Sequence, residues 1–214
     1  MQSLTLSLLR ASLILLSAIA LPCIAETETN PLASIGTQIE QHAVVRADFT
    51  QTKHMAALKR PLITSGKLIY SRNHGVLWQI EQPYRISYLL SEERIIEINA
   101  KGLRKERNTR DIPGLAQVGK VFRAMLGANI STLKNTFDVA ASGNTQKWEI
   151  QLTPKQTQLK QFLTALDLNG GLFVENIKIA ETGGDSTQIQ LHRSKSSDAL
   201  EDNELRLFAE TSSQ

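Results

Sequence analysis

Ala47-Asp48-Phe49-Thr50-Gln51, then Ser65-Gly66-Lys67-Leu68-Ile69-Tyr70-Ser71-Arg72, then Gly75-Val76-Leu77-Trp78-Gln79-Ile80-Glu81-Gln82-Pro83, form three alternating segments, each ended by turn residues. Side chains alternate faces along a strand, so each segment presents one apolar side. Leu68 and Tyr70 share a face of the second segment, and Val76, Trp78 and Ile80 share a face of the third. Phe49 supplies the apolar position of the first. Arg72 continues the Leu68–Tyr70 parity, so a cation ends a row of apolar side chains.

The same pattern extends to both sides. Upstream, Asn30-Pro31 opens a short amphipathic helix with Leu32, Ile35, Ile39 and Ala43 on one face. Downstream, Ile86, Tyr88 and Leu90 share a face of a segment over 85–90. A polar turn leads to Ile95–Ile98, with Ile96 and Ile98 assigned to the apolar side, and Lys101-Gly102 turns into Leu103–Arg107. Strands this short and this regularly punctuated predict an antiparallel meander rather than a parallel α/β sheet. At Asp111-Ile112-Pro113-Gly114 the period changes. Leu115, Val118, Val121/Phe122 and Met125 recur at helical spacing up to Gly127, which predicts a helix inserted between strands, and Ile130–Leu133 is expected to add a further helical turn.

Strands resume at Phe137–Ala141 and Trp148–Leu152, where Pro154 stops the run. Gln156–Phe162 reads as a short helix or an extended crossing. Leu163–Leu168 enters an Asn169-Gly170 hairpin, Phe173–Ile179 returns, and Thr187–Leu191 pairs back after Gly183-Gly184-Asp185. The remaining expectations are a mobile polar loop over Ser194–Asp202 and a last strand over Leu205–Phe208. The count is roughly ten strands in one domain.

The N-terminus reads as a secretory signal over residues 1–25. Arg10 precedes an uncharged apolar run from Ala11 to Leu21, and Pro22-Cys23-Ile24-Ala25 leads to cleavage after Ala25, leaving a domain over 26–214. The rival reading acylates Cys23, with Pro22 standing where such signals place a small residue. Cleavage would remove the only cysteine, so the core would carry stability without disulfides. The net charge of +3 is too small to argue for nucleic acid. Arg104-Lys105-Glu106-Arg107 reads as a solvated strand face.

Catalytic patterns are weak. His42, His54, His74 and His192 are widely spaced and read as surface or turn residues; no metal or cofactor is expected. Asp138, Asp167 and Asp185 show no acid–base pairing. A one-sided sheet must nevertheless cover its apolar face. The covering is either a plain core or a lid over a cavity. Arg72 has two readings as well: a strand-end cation in water, or a latch donating to lid carbonyls, since a cation buried alone is costly.

These residues resemble the outer-membrane lipoprotein carrier family (LolA-like). Its Ala-x-Phe-x-Gln element matches Ala47–Gln51, and its glycine, arginine and tryptophan fall on Gly66, Arg72 and Trp78, with Gln82-Pro83 at the strand end. Asn73 stands where the family usually has proline, which is similar to divergent carriers of glycolipid or aryl-polyene export systems. The resemblance implies an unclosed β-barrel under a helical lid, acting as a monomer in the periplasm. It implies that acyl chains of a lipoprotein or lipid are carried from an inner-membrane donor to an outer-membrane acceptor. It also implies a cavity lined by Phe49, Leu68, Tyr70, Val76, Trp78, Ile80, Ile86, Tyr88, Leu90, Ile96 and Ile98. Leu115, Val118, Phe122 and Met125 would form the lid, with Arg72 as its latch. A lipid-sensing binding module and a lipid- or sugar-directed enzyme are the other classes considered.

Overall fold

A computed structural model describes residues 31–91, 94–108, 121–127 and 129–209. Residues 1–25, expected to be a signal peptide and including Cys23, and the expected lid residues Leu115 and Val118 lie outside them. The chain opens with helix α1 (Pro31–Glu40), followed by strands β1 (Val44–His54), β2 (Leu62–Ser71), β3 (Gly75–Gln82), β4 (Ile86–Leu90), β5 (Arg94–Asn99) and β6 (Arg104–Asn108). Residues 121–126 are helical. Then come α2 (Ile130–Thr136), β7 (Phe137–Asn144), β8 (Lys147–Pro154), the single turn α3 (Thr157–Lys160), β9 (Leu163–Gly170), β10 (Val174–Glu181), β11 (Ser186–Ser197) and α4 (Asp202–Ala209).

Among the described residues, eleven strands join one antiparallel sheet in the order β6-β5-β4-β3-β2-β1-β11-β10-β9-β8-β7, which does not close. One apolar cluster draws Phe49, Leu68, Val76 and Trp78 from one half of the sheet and Trp148, Leu166 and Ile177 from the other. It also takes in Leu32, Ile35 and Ile39 of α1 and Val121 and Met125 of the 121–126 helix. Strands so far apart in the sheet order share a core only if the sheet curls around the helices. Register breaks between Ser65 and Gly66, between Arg46 and Asp48, and at two places in the β9–β10 pairing supply local bends. The edge strand β6 exposes Arg104, Lys105 and Glu106, with Glu106 paired to Arg94 at 3.2 Å. Charges of this kind discourage pairing with another chain.

Part of the outer face of β1–β5 is covered as well. Val44, Ile69, Leu77, Leu89 and Ile96 form a second cluster covered by Leu200 and Phe208. The segment expected to be a final strand is therefore the helix α4, whose inward face is Glu204 and Phe208, four residues apart. The expected loop from Ser194 is strand as far as Ser197. The Asn169-Gly170 turn also moves, because β9 runs through Gly170 and the chain reverses over 171–173. Gly170 is glycine because a Cβ there would lie 2.1 Å from the Phe173 carbonyl oxygen and 2.8 Å from the Trp148 ring. The indole Nε1 of Trp148 donates to the Gly171 carbonyl at 2.7 Å, which fixes that corner.

Candidate functional site

The inner face of β1–β4 carries the expected apolar row. Phe49, Leu68, Tyr70, Val76, Trp78 and Ile80 are buried in the main cluster, and Ile86, Tyr88 and Leu90 are partly buried against it. Cross-strand pairing explains the alignment, with Leu68 opposite Trp78, Trp78 opposite Tyr88, and Val76 opposite Leu90. Ile96 and Ile98, expected on this face, lie on the other one. The short turn after β4 pairs Leu90 with Ile95 and Leu89 with Ile96. Because one residue of register exchanges the faces of a strand, Ile96 and Ile98 sit with the outer cluster. Ile95, 6% exposed, takes the inward parity.

Aromatic contacts tie sheet to helix. The Phe49 and Trp78 rings lie 3.9 Å apart, and Phe122 meets Trp78 edge-on at 5.4 Å. Met125 is buried beside Val121, Ala124 and Leu126. The 121–126 helix thus sits on the apolar row, as its periodicity indicates. Among the described residues, a small cavity of about 10 Å³ is lined by Ile39, Val45, Leu68, Tyr70, Leu126 and Phe173, among others. That is no more than the space of one water molecule.

His42 also lines this cavity and stacks near Phe173 at 4.7 Å. Its buried Nε2 has no hydrogen-bond partner among the described residues. His54, His74 and His192 are exposed, and His42 lies half-buried in the turn between α1 and β1. The aspartates serve structure: Asp138 lies 3.5 Å from Lys155, Asp167 accepts from Gln151, and Asp185 accepts from the Ala56 amide.

Arg72 reaches a helix, though a different one from the inserted lid. Its guanidinium donates to the carbonyl of Glu40, the last residue of α1, and its backbone N–H donates to Ala43 at 2.9 Å. The terminal carbonyls of a helix lack internal partners and carry the negative end of its dipole, so a cation there satisfies both. Gln38 holds the other flank of α1, donating to the carbonyls of Thr145 at 2.7 Å and Gly171 at 2.8 Å. The helix is pinned to both halves of the curled sheet.

Residues 25–199 match the family model for the outer membrane lipoprotein carrier protein LolA-like. The chain belongs to the LolA-like family. The family assignment rests on that sequence match, which spans both halves of the sheet. A LolA superfamily protein from Nitrosomonas europaea is similar in structure at 9% identity, over 83% of this chain and 97% of that one, with a TM-score of 0.46. A DUF1329 family protein from Desulfovibrio piger is similar at 12% identity, over 86% and 96%, with a TM-score of 0.46. LprF from Mycobacterium bovis is similar at 10% identity, over 80% and 94%, with a TM-score of 0.41. No curated protein matches the sequence. In this chain the scaffold is an open curled sheet whose apolar concave face is covered by short helices.

Proposed function

We propose that the protein is a periplasmic carrier that takes the acyl chains of a lipoprotein or lipid into its curled sheet. It would move them from an inner-membrane donor to an outer-membrane acceptor, as a monomer and without catalysing a reaction. One observation carries this reading. The apolar face of the sheet is covered by separate short helices held by a handful of polar ties, so the cover can lift without unravelling the sheet. An acyl chain gains about 0.8 kcal/mol per buried methylene. An interior of Leu, Ile, Val, Phe and Trp resembles lipid closely enough that loading and release are both feasible. Direction then comes from the partners.

Arg72→Leu tests the cover. A hydrogen bond to a charged donor contributes about 1.5–3 kcal/mol, and the exposure of Arg72 reduces this to about 1 kcal/mol. Amides in the last turn of α1 should then exchange about fivefold faster, and transfer of bound lipid to acceptor vesicles should change with them. Unchanged exchange together with unchanged transfer removes Arg72 from the gate. Mass spectrometry of lipids that co-purify with the protein would identify the cargo; a sensing module would bind such lipids without delivering them.

A further inference from the structure

Burial along β2 is lopsided. Tyr70 and Ser71 at one end are buried, whereas Leu62 and Ile63 at the other are 51% and 58% exposed. Leu62 and Ile63 have opposite parity, so neither the inner nor the outer core reaches this end of the strand. The pairing register puts five connections at that same rim of the sheet. They are residues 55–61 between β1 and β2, 83–85 between β3 and β4, 100–103 between β5 and β6, 155–162 between β8 and β9, and 182–185 between β10 and β11. Direct bonds join neighbours along the rim. The Ala56 amide donates to Asp185 at 2.9 Å, and the Thr182 amide donates to the Phe162 carbonyl at 3.0 Å.

Apolar side chains gather there. Among the described residues eight large apolar side chains are exposed, and six of them lie at this rim: Leu58, Leu62, Ile63, Tyr84, Leu103 and Phe162. A single exposed apolar residue is ordinary, but six on one rim are not. Charge gathers with them. The five connections hold Lys59, Arg60, Arg85, Lys101, Lys155 and Lys160 against one carboxylate, Asp185. Lys155 lies 3.5 Å from Asp138, which leaves five cations to one carboxylate. The carboxylates at the neighbouring strand ends are already matched, Glu181 by Lys53 at 3.1 Å and Glu81 by Lys67 at 3.8 Å. By sequence, the hairpin connections of the opposite rim hold Arg72 against Glu92 and Glu93, so the basic excess belongs to one rim only.

We infer that this rim docks on the surface of an anionic lipid bilayer, with Leu58, Tyr84, Leu103 and Phe162 entering the headgroup layer and the lysines and arginines meeting lipid phosphates. The arrangement favours a bilayer over a protein partner. The apolar residues sit on separate connections, each close to a cation: Leu58 beside Lys59, Tyr84 beside Arg85, Leu103 two residues from Lys101, and Phe162 two from Lys160. A protein interface gathers apolar residues at its centre and leaves charge at the edge. A membrane surface takes both across its whole width, apolar tips and aromatic rings deeper and cations at headgroup level. Each Lys or Arg near an anionic surface strengthens association about fivefold. This docking does not depend on what the interior holds, so its test is read without cargo.

The purified protein is sedimented with vesicles of phosphatidylcholine alone and with vesicles of phosphatidylcholine mixed with phosphatidylglycerol. It should bind the mixed vesicles at least about tenfold more tightly, and raised salt should remove the difference. Lys59→Gln combined with Arg60→Gln should weaken binding to mixed vesicles roughly tenfold and leave neutral vesicles unchanged. Leu58→Ser combined with Tyr84→Ser should weaken both. Leu172→Ser, at the opposite rim, should change neither. Any lipid affinity of the apolar run Ala11–Leu21 is common to every variant, so the comparison among them isolates the rim. All the substituted side chains are exposed, and unchanged tryptophan fluorescence checks that each variant is folded. Equal affinity for the two vesicles, or a preference that the Lys59 and Arg60 substitutions leave intact, overturns the assignment. Absence of vesicle binding overturns it too, and rim-dependent crosslinking to a membrane protein in cells would then give the rim to a protein partner.

Discussion

Gly66→Ala is expected to abolish stable folding, or to cost at least about 4 kcal/mol, from the addition of one methyl group. Gly66 sits where β3 carries an extra residue: Ser65 faces Gln82 while Gly66 faces Ile80, so Glu81 is bulged out. The bulge draws the backbone of β3 toward β2. A Cβ on Gly66 would lie 1.9 Å from the Gln79 carbonyl oxygen and 2.9 Å from its carbon. No rotamer change relieves this, because the obstacle is backbone and not the end of a side chain. To fit alanine, β2 and β3 must separate at the bulge. That breaks ladder hydrogen bonds beneath the Phe49–Trp78 contact, where β1 pairs Phe49 directly with Gly66. Urea unfolding followed by the fluorescence of Trp78 and Trp148 would measure the loss. A midpoint close to that of the parent chain would show that the bulge is soft and that this close approach does not constrain the sheet.

Much of this architecture was legible in the sequence, and each miss has its own physical cause. Period-two alternation placed the strands and the inner row of β2–β4 correctly, because turns such as Asn73-His74-Gly75 fix where each strand begins. Ile96 and Ile98 were assigned to the wrong face because the length of the β4–β5 turn, and not the strand itself, sets parity. The second core was missed for a related reason. Alternation shows one apolar face, yet Leu68-Ile69-Tyr70, Val76-Leu77-Trp78 and Leu89-Leu90 are continuous apolar runs, which signal burial on both faces. Read that way, they call for a cover on the outside, and the C-terminal segment is what provides it. Leu205 and Leu207 alternate like a strand, whereas the residues that meet the sheet, Glu204, Leu207 and Phe208, follow the helical spacing of three and four. The reach of Arg72 to α1 instead of the inserted helix was not readable, since it depends on where the chain places Glu40 in space.

Glu204→Ala should destabilise the protein by about 2–3 kcal/mol. Glu204 is 6% exposed, and its carboxylate meets Arg46 through both oxygens, the Nε–Oε1 distance being 2.6 Å. The Glu201 amide donates to it at 2.8 Å, and Arg46 donates to Ser197 Oγ at 2.7 Å. Removing one partner of a buried pair costs about 3–5 kcal/mol when the other is stranded. The Arg46 side chain is 26% exposed and can partly rehydrate, which sets the lower figure. The loss falls on α4 as a unit. Phe208 then leaves the outer cluster and its contact with His74, which lies 5.7 Å away and binds Ser71 at 3.0 Å. The turn that carries Arg72 is therefore buttressed from behind by this ion pair. The pH dependence has a definite sign. The hydrogen bond from Arg46 holds the Glu204 carboxyl below its ordinary value of 4.5, assisted by the Glu201 amide and opposed by burial. A depressed folded value means that the contribution is complete above about pH 4.5 and is lost as the pH falls through the folded value. Glu204→Gln keeps the shape without the charge, so the stability gap between it and the parent should be constant from neutral pH down to about 4.5 and narrow below that. Paired denaturation curves across that range would decide it. A gap that stays constant into strong acid would mean that the pair holds α4 by packing alone.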